Sequence, residues 1–151
     1  MTDGLDAGRH WLIGAGVLSA VAAALHVACI FGGPDWYRFF GAGERMARAA
    51  QAGSAMPAIV TLGIAAVLAI WAAYAFSGAG LIWHLPLLRT GLVTISAIYL
   101  ARGLVLIPMA VLKPALITPF WIWSSLIVLI YGLVYAVGTE LAWRALSAHT
   151  G

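Results

Sequence analysis

Few residues in this chain can do chemistry, so their types and spacing carry the argument. Tyr99 and Arg102 stand one helical turn apart inside an apolar run from Leu85 to Leu112. An arginine inside such a run is costly unless it faces a cavity, a partner or a bundle interior, so it is a functional-site candidate by default. Its guanidinium would hold an anion, and the Tyr99 phenol would donate a further hydrogen bond to the same anion. His26 and Cys29 lie in a second apolar run. Glu44, Arg45, Arg48 and Gln51 follow in a segment of good helix formers.

The composition says which solvent surrounds these residues. Of the 151 residues, 64% are hydrophobic and 9% are charged, and the mean hydropathy is +1.01. A soluble domain of this length has no way to hide so much apolar surface, so the chain reads as a lipid-solvated one. The net charge of +3 suits loops facing anionic headgroups. No basic tract exists to suggest nucleic acid. The single cysteine excludes an intrachain disulfide and thiol–disulfide relay chemistry. The start of the chain is expected to be a retained first span, because Asp3 and Asp6 precede Arg9 and the apolar run outlasts a signal peptide.

Four spans must position the candidate residues. The hydropathy pattern predicts them at about 11–31, 56–76, 87–112 and 119–143, in one membrane domain over 1–151. Gly32-Gly33-Pro34 is expected to end the first span. The long connection 32–55 holds five charges and a predicted short interfacial helix over Glu44–Gln51. Pro57 stands in the first turn of the second span, where its missing N–H costs nothing. Pro108 is expected to kink the third. Ala15, Ser19, Ala22 and His26 share one face of the first span; Thr61, Ala65, Ala69, Ala72 and Phe76 share one of the second; Ser125, Gly132 and Ala136 share one of the fourth. Such small faces allow close helix approach and association of copies into a homo-oligomer. Six of the seven Trp residues fall at span ends or in connections, the aromatic belt of a polytopic protein. The fold class is therefore all-α, an antiparallel four-transmembrane-helix bundle.

Counting about 1.5 Å per residue, His26, Thr61, Arg102 and the Ser124-Ser125 pair fall in one half of the membrane, beneath the long connection. One reading is a buried polar layer around Arg102, open to that side and binding an anionic or amphipathic small ligand. Glu44 or Asp35 would then be the protein's own candidate counter-ion. The competing reading is structural: Arg102 snorkels to the surface, caps carbonyls freed by Pro108, or pairs with Glu44. The pattern disfavours haem, since only His26 lies well inside a span while His10, His84 and His149 are at the opposite surface or in the tail; a His10–His84 pair is the other arrangement open to it. No His/Cys/Asp/Glu set has metal-ligand spacing. No resident cofactor is therefore expected. Arg38, Arg45, Arg48 and Lys113 lie on one side, against Arg9, Arg89 and Arg144 on the other, which favours by one residue a cytoplasmic first and third connection.

The segment Glu44-Arg45-x-x-Arg48-Ala49-x-Gln51 and the pair Ala101-Arg102 with Pro108 resemble the membrane-associated eicosanoid and glutathione metabolism proteins. That resemblance covers about a dozen residues, and it implies Arg45, Arg48, Gln51 and Arg102 as positions for glutathione. Ala52 and Ala55 stand where the family has its glutathione-contacting Asn and Glu. The chain also resembles small four-span proteins of the bacterial inner membrane. The expected function is thus a small inner-membrane protein, leaning non-enzymatic; the alternatives are a glutathione-transferase-like enzyme and a small transport or ligand-binding subunit.

Overall fold

The computed structural model describes residues 2–148. They form an all-α protein with four long apolar helices packed antiparallel and a short helix between the first two long ones. The elements are α1 (Thr2–Phe39), α2 (Glu44–Gln51), α3 (Met56–Gly78), α4 (Leu88–Leu104), α5 (Leu106–Leu112) and α6 (Pro119–Ala148). Four stretches are long and apolar enough to cross a bilayer: Asp6–Phe39, Met56–Gly78, Leu88–Leu112 and Pro119–Arg144. The protein is a small four-span integral membrane protein in contact with lipid.

The chain divides into two compact units, Ser19–Ile70 and the remainder. In the larger unit, all four long helices meet. Gly8 packs against Ala142 and Gly138 against Leu12, so α1 and α6 run antiparallel. Leu12 and Leu92 both reach Gly78, which brings α1 and α4 against α3. Gly103 faces Leu129 and Gly132 faces Leu100, which makes α4 and α6 antiparallel as well. A β-carbon on Gly8 would stand 2.7 Å from the Ala142 nitrogen, and one on Gly132 would stand 2.8 Å from the Leu100 nitrogen. Glycine is what lets these backbones approach. Tyr135, fully buried, seals the centre of this unit and donates from its hydroxyl to the Trp71 carbonyl at 2.9 Å.

In the smaller unit, the Gly32-Gly33-Pro34 cluster does not end the first helix. Gly33 takes φ 66°, ψ −152°, and helical geometry resumes through Phe39. Pro34 explains the resumption, because a proline opens a helical segment without losing a hydrogen bond. The long connection is therefore shorter than 32–55. Gly41 and Gly43, both at positive φ, make the turn into α2. Tyr37 is buried and accepts a hydrogen bond from Thr61 at 3.4 Å, tying α1 to α3 within the unit.

Local rules account for the other boundaries. Pro108 has no N–H for the Leu104 carbonyl and its ring crowds that turn, so α4 stops at Leu104 and α5 restarts after Val105. Thr118 caps α6 through its hydroxyl, which accepts from the Trp121 N–H at 3.3 Å, with Pro119 at the first helical position. Gly80, at φ 71°, closes α3: its N–H bonds the Ser77 carbonyl and the Leu81 N–H bonds the Phe76 carbonyl.

The small-residue faces are largely buried within the chain itself. Ala15 and Ser19 on α1 and Ser125 and Gly132 on α6 are covered. On α3 the buried stripe is Thr61, Ala65, Leu68, Ala72 and Ala75, so Leu68 and Ala75 replace the expected Ala69 and Phe76. From Thr61 to Ala75 the stripe advances 3.5 residues per step on average, the period of left-handed helix packing, and the wider-spaced face expected from Thr61 to Phe76 drifts off it.

Candidate functional site

Arg102 is exposed, not buried, and this corrects the expected polar layer around a buried arginine. Its backbone lies at the level where α4 packs against Leu129 of α6. The side chain climbs from there along the α4–α6 seam. One guanidinium nitrogen donates to Ser125 Oγ at 3.3 Å, and the guanidinium carbon stands 5.0 Å from the centre of the Trp121 ring. The stem thus runs from the Leu129 level toward the first turns of α6, which is snorkelling. From Trp121 to Trp143 is 22 residues, about 33 Å at 1.5 Å each, against a hydrocarbon core of about 30 Å. Trp121 therefore marks one boundary of the membrane, and the Arg102 head lies near it.

Tyr99 does not join Arg102. It is buried in a cluster of rings, 4.7 Å from Trp71, 5.6 Å from Tyr131 and 5.5 Å from Tyr135 between ring centres. The contacts with Trp71 and Tyr131 are edge-on, and such ring contacts stabilise packing. The position one turn from the arginine is a core position because α4 buries Leu92, Ser96, Tyr99 and Gly103.

The remaining nominated residues belong to the smaller unit. His26 is half-buried and its Nδ1–H donates to the Ala22 carbonyl at 2.8 Å, a bond within its own helix. Glu44, Arg48 and Gln51 do come together, around an arginine that sequence reasoning left out. Arg38 donates to Glu44 at 3.0 and 3.3 Å, to Asp35 at 3.1 Å and to Gln51 at 3.4 Å. Arg48 donates to Glu44 at 3.0 Å. The bonds from Arg38 and then Arg48 hold the Glu44 carboxyl down at about 2. Glu44 is thus the counter-ion of Arg38 and Arg48. Arg45 is exposed and makes no ion pair among the described residues. The network is solvent-exposed, so it orders the turn between α1 and α2 more than it stabilises the fold.

Sequence reasoning missed the opposite end of the larger unit. There the second connection is pinned to α3: Ser77 donates to the Trp83 carbonyl and accepts from the Leu85 N–H, both at 3.0 Å, and Tyr74 donates to the Pro86 carbonyl at 3.2 Å. Two open grooves flank it. One, of about 600 Å³, is lined by His84 to Thr90, Val93 and Trp143; its neighbour, of about 380 Å³, includes Asp6, Arg9 and Ser77. Arg89 stacks on Trp143, 4.0 Å from the ring centre. The sequence signals for this end were the aromatic belt, the His10–His84 pair weighed for haem and the basic residues Arg9, Arg89 and Arg144. Among the described residues, no group of three His, Cys, Asp or Glu side chains gathers in metal-binding range. His10 Nδ1–H donates to the Asp6 carbonyl at 2.7 Å, and His149 lies outside the described residues.

No family model matches the chain, and no curated protein or solved structure matches it. The functional reading therefore rests on the chain's own geometry.

Proposed function

We propose that this protein resides in a bacterial inner membrane, with its first and third connections in the cytoplasm, and holds an anionic amphiphile against Arg102. The observation that carries the reading is the exposed guanidinium in the α4–α6 seam, steadied by Ser125 and Trp121 and paired with no carboxylate among the described residues. One of its five N–H donors is used by Ser125, which leaves others for an acidic head. Exposed Ile98, Leu104, Ile122 and Leu126 on the same two helices suit an apolar tail. Holding such a molecule is a binding role and needs no catalytic group. Calorimetry with dodecyl phosphate in a non-ionic detergent tests it. Binding that weakens about tenfold in Arg102→Leu, as loss of a charge-assisted contact implies, supports the reading. Equal binding by both proteins overturns it.

A glutathione-transferase-like role is the second reading. It is favoured by the convergence of Arg48 and Gln51 on one cluster. Against it, Arg48 and Gln51 are already engaged with Glu44 and Arg38. Calorimetry with millimolar glutathione decides: heat that vanishes in Arg48→Ala supports this role, and no heat removes it.

A further inference from the structure

The geometry points to a second ligand site, independent of Arg102, at the other end of the larger unit: the groove beside the second connection holds a bilayer phospholipid with an anionic headgroup, its phosphate on Arg89. The groove carries both polar and apolar side chains. Arg89, His84 and Thr90 supply the first; Leu87, Val93 and the Trp143 ring supply the second. An amphiphile lying with its head on Arg89 and an acyl chain past Val93 along α4 satisfies both.

The cation is placed in advance. The guanidinium carbon of Arg89 lies 4.0 Å from the Trp143 ring centre, a stacking distance that orients the planar fork. Arg89 makes no ion pair among the described residues, so its charge calls for an anion from outside the chain.

The walls are also built. Ser77 and Tyr74 pin the connection from Trp83 to Pro86 to α3. Leu87 is held at φ 52°, the one non-glycine residue with positive φ among those described. An aliphatic residue in that region is strained, and strain persists where surrounding bonds over-determine the backbone.

Depth selects the source of the anion. Trp143 stands about 33 Å along α6 from Trp121, so Arg89 lies at the headgroup level opposite to Arg102. Phospholipid phosphates are concentrated at that level, and a basic residue near an anionic leaflet favours acidic lipids several-fold.

Photocrosslinking tests this. The full chain is placed in phosphatidylcholine nanodiscs containing a trace of phosphatidylglycerol with a diazirine acyl chain, and labelled peptides are mapped. The expected result is labelling concentrated on residues 85–93 and on Trp143. It should be about fivefold to tenfold weaker with diazirine phosphatidylcholine and in Arg89→Gln, partly kept in Arg89→Lys, and unchanged in Arg144→Gln. The comparison of the two lipids on the unaltered protein stands even if Arg89→Gln does not fold. Equal labelling by both lipids, labelling spread evenly along the helices, or no loss in a folded Arg89→Gln overturns the proposal. Loss of labelling with millimolar inorganic phosphate overturns the assignment to a lipid.

Discussion

Arg102 donates to Ser125 Oγ at 3.3 Å even though its own level on α6 is that of Leu129, one turn further from the membrane boundary. The side chain crosses that turn along the seam and ends beside Trp121. An arginine placed mid-span by its sequence position thus has its charge near the boundary.

Arg102→Leu is expected to leave stability within about 1 kcal/mol of the parent. Removing one partner from a buried ion pair would cost about 3–5 kcal/mol, whereas a snorkelling arginine gives up weak contacts and some cost of lying in the membrane. Ser125→Ala should cost about 0.5–1.5 kcal/mol, the usual net value of one hydrogen bond. Thermal unfolding in nanodiscs measures both, and a large loss in Arg102→Leu would contradict the exposed placement.

Thr139 is buried and its hydroxyl has no hydrogen-bond partner among the described residues. Thr139→Val keeps the shape and removes the unsatisfied oxygen. The expected outcome is a gain of about 1 kcal/mol, since an unpaired buried polar group costs about 1–3 kcal/mol. A loss of stability in the same unfolding measurement would mean the hydroxyl is satisfied.

Glu44 gives the first turn a pH dependence with a definite sign. Its carboxyl ordinarily titrates at 4.5 and is held at about 2 by Arg38 and Arg48. A depressed carboxyl stabilises the folded form above its unfolded value, and that contribution disappears as pH falls through the folded value. Amide exchange across 38–54 should therefore be pH-insensitive in its protection above about pH 4.5 and lose protection progressively toward pH 2. Glu44→Gln should flatten this dependence; an unchanged profile would place the titration elsewhere.

Gly103 and Gly132 set the spacing of α4 and α6. A β-carbon on Gly103 would lie 2.9 Å from Leu129 Cα. Backbone atoms give way poorly, so Gly103→Val is expected to cost about 1–3 kcal/mol by overpacking. Gly63 has open space around it, and Gly63→Ala should be neutral or slightly stabilising through helix propensity. Comparable effects at the two positions would argue against close packing at the seam.

Much of the fold was legible because lipid imposes a simple rule: a span needs about twenty apolar residues and must satisfy its own backbone. The four spans, the α2 segment and the break at Pro108 all follow from such one-dimensional signals. The sites were not legible in the same way. Tyr99 and Arg102 are one turn apart, yet Tyr99 is in an aromatic core and Arg102 in the open seam. Spacing cannot say which of two neighbouring directions the bundle buries. Glu44 and Arg48 were nominated as members of one helical segment, but Arg38 joins them only because Gly41 and Gly43 turn the chain back. The Arg89–Trp143 stack unites residues 54 positions apart, and no local pattern anticipates that.

Sequence alone determined that this is a four-span, all-α membrane protein and which side chains carry charge inside or beside its spans. Hydropathy, proline and glycine act locally, so they can be read in order along the chain. Tertiary structure decided where those charges go. Arg102 lies against Ser125 and Trp121, Glu44 between Arg38 and Arg48, and Arg89 on Trp143. A side chain of several rotatable bonds can reach more than one turn of a neighbouring helix, and only the packed helices determine which partner it meets.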